Sequence, residues 1–210
     1  FNHDISHIYS IYYWNSKKNN SIYYYYPNLK KIKNFLCVVT TFVDIKLFSL
    51  GLLSIKGKDN ICTPLDILRF DDLYKSLLIL IHIFFNDISN LRYFSTSKVI
   101  NFLVSWNRIS KIYYNILIYL SLKKLSTNSS YQKYINWGEN QSHLKAFALG
   151  VIRGSKNNKS LYTFIGSPIS INYRNHLIPN KYECFIGIWG KNIILQTEDC
   201  LNELSNYFSK

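Results

Sequence analysis

Apolar positions fall into short blocks towards both ends of the chain and into longer blocks in its middle. IYSIYYW (Ile8–Trp14) and SIYYYY (21–26) flank the polar turn NSKKNN, and their Tyr and Ile content predicts two strands. Phe35–Ile55 is rich in Val, Ile, Phe and Thr and predicts two more, broken near Ser49–Gly51. After the turn GKDN (57–60), Thr63-Pro64 reads as a helix start. Thr is the N-cap, Pro takes the first helical position, and Asp66 lies near the positive end of the dipole. Leu65, Leu68, Tyr74, Leu77, Ile81 and Phe84 follow at helical spacing as one apolar face. Ser95-Thr96-Ser97 caps a second helix to about Lys124, apolar at Leu103, Trp106, Ile109, Tyr113, Ile116, Leu120 and Leu122.

STNSSYQKYINWGENQ (126–141) is polar and reads as a loop. Beyond it, LKAFALGVI (144–152), SLYTFI (160–165), PISINY (168–173), YECFIGIWG (182–190) and NIIL (192–195) predict strands. Thr197 caps a short helix, TEDCLNELSNYF, with Leu201, Leu204 and Phe208 on one face. The expected fold class is α+β: N-terminal strands and two helices, then a C-terminal antiparallel or mixed β-sheet with a terminal helix. Residues 1–125 form a strand and helix module, 126–143 a polar linker, and 144–210 a β-rich domain.

Charge changes this picture. The 210 residues carry a net charge of +13, unevenly spread. Residues 88–182 hold thirteen Lys or Arg and a single acid, Glu139; residues 183–210 hold two against four. A solvated surface mixes signs, so a long span without carboxylates calls for a polyanion to supply them. Lys, Asn, Ile, Tyr and Phe are abundant while Ala occurs only at Ala146 and Ala148, the usage of AT-rich codons. That composition points to an organellar or otherwise AT-rich genome. With Phe at position 1 and no Met anywhere, the expectation is a processed, split or incomplete product.

Other chemistry is thin. Cys37, Cys62, Cys184 and Cys200 are scattered, with no C-x-x-C, and read as reduced thiols. No secretory signal is visible at Phe1–Trp14. The longest apolar run, LLILIHIFF (77–85), is too short to span a bilayer, so no membrane span is expected. Asp71-Asp72 and Glu198-Asp199 are adjacent acids suited to helix starts, and the basic region has only Glu139 for metal-dependent cleavage. No catalytic set, metal site or cofactor is expected.

The basic loops carry the candidate chemistry. RGSKNNKS (153–160) presents Arg153, Lys156 and Lys159 beside Gly, Ser and Asn, groups that suit phosphate oxygens; RNHLIPNK (174–181) repeats the chemistry with Arg174 and Lys181. Arg108 and Lys111 add positive charge to the second helix. LKAFALGVIRG, the basic loop, GSPI (166–169), INY (171–173), YECFIGIWG and Lys191 together resemble the C-terminal domain of the small-subunit ribosomal protein S-three family. The order and approximate spacing agree over about a quarter of the chain, while Asn172 stands where the family has Asp. The G-x-x-G loop of that family's nucleic-acid-binding half is not found in residues 1–143.

The resemblance implies a structural protein of an organellar small ribosomal subunit, mitochondrial or else plastid. Its partners would be small-subunit rRNA, neighbouring ribosomal proteins, and mRNA where it enters the subunit. Its RNA contacts would be Arg153, Lys156, Lys159, Arg174 and Lys181. Two further classes stand beside it. One is an accessory subunit of an organellar complex that meets acidic protein or anionic lipid. The other is an intron-encoded nucleic-acid-binding protein.

Overall fold

Six blocks become strands, and all six run the same way. The computed structural model describes residues 6–13, 32, 34–42, 60–90, 106–127, 133–137, 141–155, 161–165, 181–188, 190, 192–195, 198, 199 and 202. The strands are β1 (His7–Tyr13), β2 (Phe35–Phe42), β3 (Ile61–Cys62), β4 (Lys133–Trp137), β5 (Leu161–Ile165) and β6 (Asn192–Leu195). They form one sheet in the order β3-β2-β1-β4-β5-β6. The helices bounded among the described residues are α1 (Pro64–Ile67), α2 (Phe70–Asn90), α3 (Trp106–Thr127), α4 (Ser142–Gly154) and α5 (Lys181–Phe185), and Glu198, Asp199 and Asn202 of the expected terminal helix are also helical. The architecture is therefore α/β with a parallel sheet.

This overturns the expected antiparallel or mixed C-terminal sheet. β1 pairs with β2 on one side and β4 on the other, His7 facing both Phe35 and Lys133, so strands from both ends of the chain share one sheet. Strands joined through a crossover helix, as β4 and β5 are through α4, come out parallel. The parallel arrangement also explains the composition of the strands. Both faces of the sheet are covered, so consecutive residues are buried and the runs read as continuously apolar rather than alternating. Ile8, Leu36, Val38, Cys62, Tyr134 and Leu161 belong to one core, which includes Ile118, Leu122, Phe147, Ala148 and Val151 of α3 and α4. Tyr9, Ile11, Phe35, Cys37, Val39, Ile135 and Phe164 form a second.

LKAFALGVI is a helix, α4, and not a strand. Of its six buried residues, Leu144, Phe147, Ala148 and Val151 stand at i, i+3, i+4 and i+7, the spacing of one helical face. A nine-residue apolar run satisfies either period, and tertiary burial chose the helix. YECFIGIWG likewise is no strand: it begins in α5 and turns through Gly187, whose φ of 86° suits glycine. KYINW, inside the expected polar linker, is β4, with Tyr134, Ile135 and Asn136 buried between β1 and β5. The strands expected at 21–26 and 168–173, and the cap at Ser95–Ser97, lie outside the described residues.

At the helix start, Thr63 and Asp66 form a capping box: Asp66 accepts both the Thr63 N–H at 2.7 Å and its hydroxyl at 2.8 Å. The helix breaks after one turn and α2 restarts at Phe70. The apolar face read from the spacing does not turn into the core there. Tyr74, Leu77 and Ile81 are exposed, and the side of α2 that carries buried Ser76 faces α3. The Ser76 hydroxyl donates to the Leu73 carbonyl at 2.6 Å and lies 3.1 Å from the Tyr113 hydroxyl. Cys37 and Cys62 are free and buried, and burial pushes both thiols well above their ordinary range.

Candidate nucleic-acid interface

The basic site is built by the way α3 and α4 lie together. They run in the same direction: Asn115 meets Ser142 at one end, and Thr127 meets Gly154 at the other. Two glycines allow the contact. A Cβ on Gly150 would lie 2.6 Å from the Tyr119 carbonyl oxygen, and one on Gly154 would lie 2.2 Å from that of Lys123. Each glycine costs roughly 1 kcal/mol of helix propensity, which the close backbone approach offsets. Ser126 and Thr127 hydroxyls both donate to the Lys123 carbonyl, at 3.1 and 2.8 Å.

Both helices therefore end at the same edge of the sheet, where β4 and β5 begin. Lys123 and Lys124 close α3, and Arg153 closes α4. Lys133 opens β4 directly beside His7 of β1. Cations at helix C-termini are favourable, and here two such termini meet. The Lys133 ammonium sits 5.7 Å from the Tyr162 ring centre and that of Lys123 6.0 Å from Tyr119, both on aromatic faces. Burial, and then the Lys133 charge, lower the pKa of His7.

Only one carboxylate answers this cluster among the described residues. Asp72 accepts the Lys124 ammonium at 2.6 Å and the Arg69 N–H at 2.9 Å. The Lys124 bond, followed by the backbone bond, holds its carboxyl below the usual range. The other described ion pair joins Lys145 to Glu183, away from this edge. Lys123, Lys133 and Arg153 are exposed and make no ion pair with a described carboxylate.

The expected contact residues divide. Arg153 stands in the cluster, on the last turn of a helix rather than in a loop. Lys111 is exposed but lies near the other end of α3, twelve residues and about 18 Å from Lys123. Arg108 lies on the same distant turn, and Lys181 opens α5; only their backbones are described. Lys156, Lys159 and Arg174 lie outside the described residues. Sequence reasoning named neither Lys123 nor Lys124 as a contact and passed over Lys133, which stands in a segment read as linker. Two basic helix ends, each followed within a few residues by a strand, were the available signal.

The carboxyl ends of the strands present a different site. An order of β3-β2-β1-β4-β5-β6 reverses between β1 and β4, the place where open parallel sheets bind nucleotides. Here the Trp137 N–H donates to the Ser10 hydroxyl at 3.1 Å, tying the two strands together. Asn136 donates to the Leu144 carbonyl at 2.8 Å, fixing the start of α4 against β4. His143, in the first turn of α4, has its pKa lowered to about 4 by burial. The phosphate-binding glycines of a dinucleotide fold follow β1, whereas the first glycine of this chain is Gly51, beyond β2.

No metal-ligating cluster of His, Cys, Asp or Glu occurs among the described residues, and no described helix is long and apolar enough to cross a membrane. No family model, no curated protein and no solved structure matches the chain.

Proposed function

We propose that the chain is a structural, RNA-binding protein of an organellar, mitochondrial small ribosomal subunit. It binds rRNA phosphates through the amino edge of its sheet. The observation that carries this reading is the meeting of two helix C-termini that carry Lys123, Lys124 and Arg153, with Lys133 opening β4 on the other face of the sheet and Asp72 the single described carboxylate that answers them. Phosphates complete such a surface electrostatically, and the released counter-ions drive binding. The AT-rich residue usage supports the organellar setting. The reading no longer leans on the ribosomal resemblance for its scaffold, because LKAFALGVIRG, the first piece of that resemblance, is helical.

Four phosphate contacts would lower affinity for small-subunit rRNA about 100-fold between 50 and 200 mM salt. Lys123→Glu with Arg153→Glu is expected to weaken binding at least tenfold and to flatten the salt slope by about two contacts. Filter binding at several salt concentrations reads both. A flat salt dependence, or a native complex that survives RNase unchanged and contains no rRNA, overturns the proposal in favour of a subunit that meets acidic protein.

A second reading comes from strand order alone. The switch between β1 and β4 suits a nucleotide, although the glycine fingerprint that would approach its phosphates is missing from the sequence after β1. Saturable binding of a nicotinamide or adenine nucleotide, insensitive to the Lys123/Arg153 reversal, would favour it.

A further inference from the structure

α2 has two apolar sides, and only one is turned towards another described helix. The side that carries Asp72, Leu73, Ser76, Leu80 and Ile83 is turned towards α3. On the opposite side Phe70, Tyr74, Leu77, Leu78, Ile81 and Phe85 are exposed, from 84% at Phe70 to 47% at Leu77. At 100° per residue these six fall within a stripe roughly 100° wide, the width of a helix face that packs on another element.

Their positions are symmetric about the midpoint between Leu77 and Leu78. Phe70 and Phe85 are equally distant from it, as are Tyr74 and Ile81. A helix with this pattern is its own complement when reversed: aromatic meets aromatic at the ends, Tyr74 meets Ile81, and the two leucines meet at the centre. The spacing from Phe70 through Tyr74 and Leu77 to Ile81 is four, three and four residues, the interval of knobs-into-holes packing. We infer that α2 docks antiparallel on α2 of a second copy of this chain, across a two-fold axis between Leu77 and Leu78.

Area and charge favour this occupant. The stripe offers on the order of 600 Å² of apolar surface per copy. Two copies together reach about 1,200 Å², the lower bound for a stable interface. In the antiparallel register Arg69, Asp71, Asp72, Lys75 and His82 each fall level with an uncharged residue of the other copy, so no like charges meet. A lipid-seeking helix carries Lys and Arg along its polar side, whereas Asp71, Lys75, His82 and Asn86 mix signs. The contact is isologous and closes at two copies.

The inference does not rest on the RNA reading, and salt separates the two. Nuclease-treated protein is run by sedimentation velocity from roughly 1 to 100 μM, at about 0.1 and 0.5 M salt. A monomer–dimer equilibrium is expected that strengthens with salt, because screening relieves repulsion between two +13 chains. RNA binding weakens over the same range. Leu77→Glu, on an exposed position, is expected to weaken the dimer at least 100-fold while leaving the circular-dichroism spectrum of the monomer unchanged. With Cys184 and Cys200 replaced by Ser, oxidation is expected to cross-link Leu78→Cys and the double variant Phe70→Cys/Phe85→Cys, but not Phe70→Cys alone. Four results overturn the inference. They are a monomer at every concentration, a dimer indifferent to Leu77→Glu, cross-linking of Phe70→Cys alone, and a monomer whose anionic-vesicle binding is abolished by Leu77→Glu, which would make the stripe a lipid face.

Discussion

α2 and α4 are both apolar helices, yet the fold treats them differently. In α4, Leu144, Phe147, Ala148 and Val151 are all buried, and Gly150 and Gly154 bring its backbone against α3. In α2 the one fully buried side chain recorded is that of Ser76, and six large apolar residues face outwards. Hydrophobic content was therefore a poor guide to which helix is structural. What separates them is small residues. α4 approaches its neighbour closely enough to exclude water, whereas α2 touches α3 through Ser76 and the Lys124–Asp72 bridge. An apolar face that the fold leaves uncovered carries information about partners rather than about the core.

The sharpest test of this contrast exchanges one phenylalanine in each helix. Phe147→Ala empties a fully buried site and is expected to cost about 4 kcal/mol. Phe85→Ala, on the exposed stripe, is expected to change the stability of the monomer by less than about 0.5 kcal/mol. Urea titration at a concentration that keeps the protein monomeric reads both. Comparable losses would mean that α2 is as much part of the core as α4.

Gly150→Val tests the close approach directly. Its side chain would run into the Tyr119 carbonyl and the Leu122 Cβ, and the two helices must part. The expected loss is about 3 kcal/mol, with RNA affinity falling as the Lys123 and Arg153 ends separate. An unchanged melting temperature would show that the helices do not meet there.

A third effect comes from His143, which opens α4. It titrates at about 4 when folded and near 6.5 when unfolded. Between those values the unfolded chain binds the extra proton, so stability is complete above about pH 6.5 and declines as pH falls towards 4, by about 3 kcal/mol. His143→Gln is expected to remove most of that slope. Denaturation at pH 7, 5.5 and 4.5 measures it, and a slope that persists in the variant assigns the acid sensitivity elsewhere.

The smallest effect lies in the bridge between the two regions. Lys124→Ala removes the partner of Asp72 at a partly exposed site and is expected to cost under about 1 kcal/mol. Because the folded Asp72 pKa is lowered, that contribution is present at neutral pH and disappears as pH falls through the folded value, below the ordinary carboxylate range. A loss well above 1 kcal/mol would show that α2 is held by charge more than by packing.

Much of the local structure was legible. Ile8–Tyr13, Phe35–Phe42, Leu161–Ile165 and Asn192–Leu195 read as strands because their β-branched and aromatic residues suit a pleated surface whatever they pair with. Thr63 and Pro64 announced a helix start, since capping is satisfied within four residues. β4 was hidden because Lys133 and Asn136 make KYINW look polar, although Asn136 is buried and bonded to the Leu144 carbonyl. α4 was misread because a run as short as LKAFALGVI fits either period. At the site, Arg153 was legible as a cation but not as a helix end beside Lys123 and Lys133, which are far apart along the chain.

Sequence alone determined the sign and spread of charge, the residues able to form strands, and the start of α1, because each is a property of a few neighbouring residues. Tertiary structure decided that the six described strands run in parallel, that Lys123, Lys124 and Arg153 end two adjoining helices while Lys111 stands apart, and that one apolar side of α2 is exposed. Those outcomes depend on contacts between segments distant in the chain, and the free energy of such contacts is a sum that no single stretch contains.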